Sequence, residues 1–536
     1  PCCGIAASLA AGNTVLLKPA SSGVLSAWVL CRCFWRAGVG KNTLQFVPCP
    51  GAESGAILTN HPDVDFVILT GGTETGLKIL KARPHGLLAA ETGGKNATIV
   101  TAMSDRDQAI KNVVNSAFGH SGQKCSATSL LILEREVYED PNFKRQLVDA
   151  AESFSVGSPW DFHNRTGPLI RPPTGELKWA LTELDDEEAW LLKPKMIEGN
   201  PHFWTPGIKL NVRPGSRSHM TEFFGPILSV LVAENLDEAI RMVNQTGYGL
   251  TSALESLDRR EQDHWQKGVK AGNLYINRGT TGAMVLRQPF GGMGKSALGA
   301  GIKVGGPHYL LQFMAFDEAD FPWSGPLSRA NSLLLVIQEW ETKLVWGSLK
   351  EWRTDLEKTV CGVRSSLYWM EEKFGKETDY VNLRGQDNIL RYLPYDRVLV
   401  RVHEKDNLFE ILTRVAAARI AGCETFLSVE PGNSSHAVQF LSTSDGMRFL
   451  EGLVPREQTD EDMIGSLSSA SFIRFAALDR VPRSVYEAAA QKGCRISCDP
   501  VLMEGRIEMI RYFREQSLCN TYHRYGNLGE RGFSLD

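Results

Sequence analysis

The run Val64-Asp65-Phe66-Val67-Ile68-Leu69-Thr70-Gly71-Gly72-Thr73-Glu74-Thr75-Gly76 passes from an apolar stretch, through two adjacent glycines, into a helical pattern that continues to about Lys81. Such a segment reads as strand, tight turn and helix: the apolar run suits a strand buried on both faces, and glycine frees the turn. The same alternation extends in both directions. Thr14 to Leu17, Leu44 to Val47 and Gly86 to Ala90 read as strands, and Val24 to Arg36 and Gly51 to Thr59 as helices. This βαβαβ order predicts a mostly parallel sheet covered on both faces, half of a nucleotide-binding domain over residues 1–91.

A second α/β region follows over residues 92–315. Helices are expected near Asp105 to Phe118, Phe143 to Phe154 and Leu236 to Thr246, and strands near Ser129 to Leu133 and Ile227 to Val232. Its middle, from about Ser158 to Gly215, is rich in Pro and Gly and suits a loop-bearing surface near a substrate. Residues 316–394 read as a helical connecting segment, with stretches such as Ser328 to Trp346 and Leu367 to Phe374. From 395 to 536 the pattern is α/β again: a strand at Arg397 to Val402, a helix at Leu408 to Ala421 closed by Gly422, and strands at Thr425 to Val429 and Ser471 to Ala476.

The chain has 536 residues, 43% of them hydrophobic, enough for several cores. With 58 Lys and Arg against 62 Asp and Glu there is no basic surplus of the kind nucleic-acid binding uses. Nothing approaches the ~18–20 continuous apolar residues of a membrane span, and the mean hydropathy is −0.19. Eleven cysteines without a C-x-x-C pair argue against a disulfide framework and a zinc ribbon, so no metal is expected and a reducing cytoplasm is. Pro1 to Leu17 read as the middle of a fold, which predicts a chain truncated at its N-terminus.

Three segments join a reactive side chain to glycines: Ala90-Glu91-Thr92-Gly93-Gly94-Lys95-Asn96, Gly119-His120-Ser121-Gly122-Gln123-Lys124-Cys125-Ser126-Ala127 and Glu222-Phe223-Phe224-Gly225-Pro226. Cys125 stands beside Lys124 in a Gly-bearing loop, a setting in which positive charge and backbone N–H groups favour a thiolate nucleophile, although core packing is the commoner fate of a cysteine. Glu91 ends an apolar strand in a Gly-Gly turn, where a partly buried carboxylate can act as general base; a solvated or ion-paired glutamate is the commoner case. Phe290-Gly291-Gly292-Met293-Gly294-Lys295-Ser296 mimics a phosphate loop, but Pro289 stands where its first glycine belongs. Leu69 to Gly76 could offer N–H groups to a pyrophosphate.

In this order and spacing the segments resemble the NAD(P)-dependent aldehyde dehydrogenase superfamily over roughly residues 4–315. Gly12-Asn13-Thr14-Val15-Leu16-Leu17-Lys18-Pro19 looks like the strand whose lysine meets the adenosine ribose. The resemblance implies an aldehyde dehydrogenase-like α/β fold: a partial Rossmann-type NAD-binding domain, a catalytic domain and a C-terminal dehydrogenase-like α/β domain. It implies Cys125 as nucleophile and Glu91 as base, with Lys18, Gly71, Thr73, Glu222 and Phe224 toward NAD. NADP stays open because Ser21 stands where many members carry a ribose-binding glutamate. Gly122-Gln123-Lys124-Cys125-Ser126-Ala127, Thr281-Gly282-Ala283-Met284-Val285 and Arg287-Gln288-Pro289-Phe290-Gly291-Gly292 are similar to the glutamate-semialdehyde (1-pyrroline-5-carboxylate) dehydrogenases. That implies a substrate-carboxylate grip by Ser126, Gly282 and Ala283, and an apolar wall at Phe290.

Arg391-Tyr392-Leu393-Pro394, Ala418-Arg419-Ile420-Ala421-Gly422, Arg511 to Ser517 and Arg524-Tyr525-Gly526-Asn527-Leu528-Gly529 look like the C-terminal part of longer proline utilization A proteins. There a proline dehydrogenase barrel precedes the module, so a proline dehydrogenase domain or protein is an expected partner and a homo-oligomer the expected state. The resemblance also implies an upstream Asn-Phe-Pro segment, expected before residue 1, as donor of the oxyanion-hole amide. Two alternatives stay open at this point: an aldehyde dehydrogenase for another semialdehyde, and a non-catalytic module partnering proline dehydrogenase.

Overall fold

The computed structural model describes residues 1–318, 320–322, 325–327, 331–468, 471–528 and 531. Ser328, at the start of an expected helix, and Gly529 of the tail motif lie outside them. The N-terminal alternation takes the predicted form: strands Val15–Leu17, Leu44–Phe46, Phe66–Thr70 and Leu87–Glu91, with helices Val24–Arg36, Ser54–Asn60 and Thr73–Ala82 between them. The expected single sheet is instead two small ones. Val15–Leu17 pairs in parallel with Leu44–Phe46, whereas Phe66–Thr70 pairs in parallel with Leu87–Glu91, whose other edge takes Ala297–Leu298 antiparallel. Among the described residues no strand joins the two, and apolar side chains such as Leu25 and Ile57 stand 75% and 70% exposed.

A ten-stranded sheet forms the centre. Its middle strands Thr251–Glu255, Asn96–Val100, Thr128–Glu134 and Ile227–Ala233 run parallel and are almost wholly buried, as continuous apolar runs covered on both faces must be. Helices Arg106–Phe118 and Pro141–Glu152 cover one face and Leu236–Gln245 and Arg259–Gly268 the other. Asp105 caps the first of these by accepting the Gln108 N–H at 3.2 Å, and Asn235 caps Leu236–Gln245 through Glu238 N–H. The supposed loop surface from Ser158 to Gly215 holds the strands Ala189–Leu192 and Gly207–Leu210, which close one edge of this sheet.

The other edge is built by the end of the chain. Phe513–Thr521 runs parallel to Asn273–Ile276 and antiparallel to Gln386–Pro394 across nine residue pairs. Gln386–Pro394, read from sequence inside the helical connecting segment, is therefore a strand of the central sheet. Helices Ser332–Val345 and Arg353–Trp369 supply the helical part of that segment. A separate five-stranded parallel sheet takes Arg397–Val402, Glu424–Val429 and Ser471–Arg474, with Leu408–Ala421 ending at Gly422 in the left-handed conformation, φ 86°. No helix among the described residues is long and apolar enough to cross a membrane.

Candidate active site

Glu91 and the turn Gly71–Thr73 meet because two parallel strands end together: Thr70 stands opposite Glu91, and the Glu91 carbonyl accepts the Gly71 N–H at 3.2 Å. The ends of parallel strands are where ligands reach such sheets. One oxygen of the Glu91 carboxylate, Oε2, is out of solvent and has no hydrogen-bond partner. Burial holds this carboxyl well above the usual carboxylate range, and the Lys303 charge and the Gly292 N–H draw it partly back.

Cys125 follows the helix Arg106–Phe118 and a turn at Gly119–Gly122 in which His120, Ser121 and Gly122 all have positive φ. Ser121 is locked by Thr166, whose Oγ1 accepts its N–H at 2.7 Å, and by the Gly167 carbonyl, which accepts its hydroxyl at 2.6 Å. A Cβ at Gly122 would lie 2.2 Å from the Gly225 carbonyl oxygen, so the turn packs directly on the Glu222–Pro226 segment. The charges acting on the Cys125 thiol come from Glu91 and Glu222; with burial they raise its pKa, opposed by the backbone N–H groups of Ser126 and Cys125. The expected stabilisation by Lys124 is thus replaced by two flanking carboxylates.

Gly93 and Gly94 make that convergence possible. The Gly94 N–H donates to Glu222 Oε1 at 2.8 Å. A Cβ at Gly93 would fall 1.9 Å from Glu222 Oε2, and one at Gly94 would fall 2.7 Å from the Cys125 carbonyl oxygen. Asn96, quoted in the motif but given no role from sequence, clamps the Cys125 segment: its amide donates to the Cys125 and Ala127 carbonyls at 2.7 and 2.9 Å, and its oxygen accepts the Thr251 N–H. Lys95 is buried without a hydrogen-bond partner above the Phe223 ring, 4.5 Å away, and burial pushes it down to about 7.

Of the other predicted residues, Thr73 donates to the Lys295 carbonyl at 2.9 Å, the same oxygen that Thr92 binds at 2.6 Å. Lys18 donates to the Pro19 carbonyl at 2.8 Å and lies beside Gly55, on the separate N-terminal strand pair. Phe224 is 40% exposed with φ 55°. Ser126 is tied to the 281–290 loop through Thr280, whose hydroxyl donates to the Ser126 carbonyl at 2.7 Å. Gly282, φ 85°, offers its carbonyl to Arg278 at 2.9 Å, Ala283 is half-buried beside it, and Phe290 exchanges two backbone hydrogen bonds with Val304. No helix follows Phe290–Ser296, so that segment is no phosphate loop. The N-terminus of Thr73–Ala82, by contrast, has no side-chain cap, and nothing stands within 4 Å of a Cβ built at Gly72. That open end fits a pyrophosphate.

The parallel strand pair at Glu91, the buried central sheet and the convergence of Cys125, Glu91 and Glu222 are arranged as in an α/β dehydrogenase-type fold. The model of the aldehyde dehydrogenase family matches residues 1–318, and the chain belongs to that family. Among curated relatives it is 36% identical over 317 residues to a 1-pyrroline-5-carboxylate dehydrogenase of Geobacillus sp. (strain WCH70), covering 58% of this chain and 61% of the relative. The corresponding protein of Bacillus subtilis (strain 168) is 35% identical over the same shares. The chain therefore spans less than two thirds of these relatives. A solved structure of Proline Utilization A from Corynebacterium freiburgense covers 98% of this chain and 48% of its own, at 35% identity and TM-score 0.83. A Thermus 1-pyrroline-5-carboxylate dehydrogenase with bound NAD covers 58% and 61%, at 36% identity and TM-score 0.54.

Proposed function

We propose that this protein oxidises L-glutamate 5-semialdehyde, the open form of 1-pyrroline-5-carboxylate, to L-glutamate with NAD, as the aldehyde-oxidising module of a proline utilization A-type protein. The observation that supports the reading is the convergence of Glu91 and Glu222 on the Cys125 thiol, with Gly93 and Gly94 packed against Glu222 and the Cys125 carbonyl. Lys18, Gly71, Thr73, Glu222 and Phe224 would hold the dinucleotide, with the pyrophosphate at the uncapped helix end, and Ser21 leaves NADP as a competitor. When bound, the dinucleotide supplies the hydride acceptor.

The chain's own residues account for the rest. The Cys125 thiol gives its proton to the Glu91 carboxylate, and its sulfur bonds the aldehyde carbon. Backbone N–H groups beside Cys125 face the oxygen that becomes negative. Once the carbon is at the thioester level and Glu91 has released the thiol's proton to solvent, its carboxylate takes a proton from water, the hydroxide adds to the carbonyl, and the Cys125 thiolate leaves as glutamate forms. Ser126, Gly282 and Ala283 would grip the substrate carboxylate and Phe290 would face its aliphatic chain. A proline dehydrogenase domain or protein would supply the substrate; a homo-oligomer in a reducing cytoplasm completes the reading.

The test is NADH formation from pyrroline-5-carboxylate by the protein and by Cys125→Ala. Turnover lost in the variant is expected. Equal rates, or no turnover by the parent while it binds NAD, would remove the claim. Running NADP beside NAD decides the coenzyme.

A further inference from the structure

Behind Glu91 lies a buried chain of charges that the reaction above does not use. Lys303 is 1% exposed, and its Nζ donates to Asn273 Oδ1 at 2.9 Å and to the Gly291 carbonyl at 2.5 Å. Glu91 and Lys303 flank the same glycine: a Cβ at Gly291 would sit 3.0 Å from Glu91 Oε1 and 3.4 Å from Lys303 Cγ. On its other side Lys303 gives its backbone N–H to Glu515 Oε2 at 2.9 Å, and Glu515 Oε1 meets His308 Nδ1 at 2.7 Å. Glu515 stands on Phe513–Thr521, the strand that the end of the chain inserts into the central sheet. A lysine sealed away from water is strongly destabilising unless its charge is answered, and here the answering carboxylates are Glu91 and Glu515.

We propose that Lys303 is a positioning residue for Glu91, holding the carboxylate ionised from across Gly291, and that Glu515 holds Lys303. The C-terminal strand thereby becomes part of the machinery that prepares the base. This rests on Glu91 being the base. The titratable groups facing Glu91 are Lys303, Cys125 and Tyr309; those facing Lys303 are Glu91 and Glu515; Glu515 faces His308, Tyr392 and Lys373 as well.

The experiment acylates Cys125 with p-nitrophenyl acetate and follows decay of the acyl-enzyme across pH, without dinucleotide. The Lys303 charge favours the Glu91 carboxylate, so its loss raises the pH at which the base ionises. Lys303→Met is expected to move the acid limb up by about one pH unit, the low end of the effect of a nearby opposite charge. Decay at the parent's midpoint then slows about fivefold and recovers in alkali, and Glu515→Gln moves the limb the same way by less. A purely structural role would lower the rate equally at every pH. A limb unmoved in Lys303→Met, or in Glu515→Gln if the first variant does not fold, overturns the proposal while Glu91→Gln still abolishes decay. Parent-like decay in Glu91→Gln instead removes the base assignment itself and the proposal with it.

Discussion

At the scale of single residues the two neighbouring glycines have different consequences. The clash at Gly93 is with the far end of the Glu222 side chain, which can swing away, whereas that at Gly94 is with the backbone carbonyl of Cys125. Gly93→Ala should therefore cost dinucleotide affinity, about tenfold or roughly 1.4 kcal/mol, with Cys125 still acylated by an activated ester. Gly94→Ala should displace Cys125 and lower kcat by on the order of 10²-fold, the scale of a 1 Å misplacement. Isothermal titration with NAD and burst kinetics separate the two outcomes; equal acylation defects would contradict the assignment. Glu91, Cys125 and Glu222 were legible in the sequence because each sits in a short glycine-bearing motif. Asn96, Asn273 and Lys303 were not, since their roles exist only once segments far apart in the chain come together. The thiol's electrostatics also escaped the sequence: Lys124 is adjacent in the chain, but the two carboxylates are adjacent in space.

At the scale of elements, the 281–290 loop and the Cys125–Thr128 segment are joined by hydroxyls. Thr280 donates to the Ser126 carbonyl and meets Thr128 Oγ1 at 3.0 Å, all of it buried. Thr280→Val removes the hydroxyl, and a buried polar group left poorly satisfied costs about 1–3 kcal/mol. If Ser126, Gly282 and Ala283 grip a carboxylate, KM for glutamate semialdehyde should rise at least fivefold more than KM for propanal. A uniform rise would mean that the loop serves stability alone. Elements with a clean period were legible: helix Leu408–Ala421 stops at Gly422 as read from the sequence, and in the structure Asn407 caps its start. The strand Phe513–Thr521 was not, because a run of polar residues, Glu515, Gln516 and Ser517, is buried between its apolar positions Phe513, Leu518 and Cys519. Gln516 accepts from Arg391 at 2.8 Å and donates to the Ala271 carbonyl at 2.7 Å, and Ser517 donates to the Pro289 carbonyl at 2.5 Å. No hydrophobic alternation survives in such a strand.

At the scale of the whole molecule, that strand is what makes the C-terminal segment and the catalytic domain one structure. It lies between Asn273–Ile276 and Gln386–Pro394, so its hydrogen bonds are used on both edges. Ser517 is a sensitive point: its N–H donates to the Gly272 carbonyl at 2.9 Å, and its neighbours in the ladder are Asn273 and Leu390. Proline has no N–H and is confined to sheet edges, so Ser517→Pro breaks the ladder where no solvent can replace the bond. The same step shifts Glu515, two residues earlier, away from Lys303 and His308. A lowered unfolding temperature and a loss of acyl-enzyme decay are both expected, measured by calorimetry and by the p-nitrophenyl acetate assay. As a reference, Arg456→Ala changes the exposed edge strand Arg456–Glu457 of the five-stranded sheet and should leave both near the parent's values. If Ser517→Pro left unfolding unchanged, the strand would not tie the two parts together; if it lowered stability but spared decay, Glu515 would not reach the site.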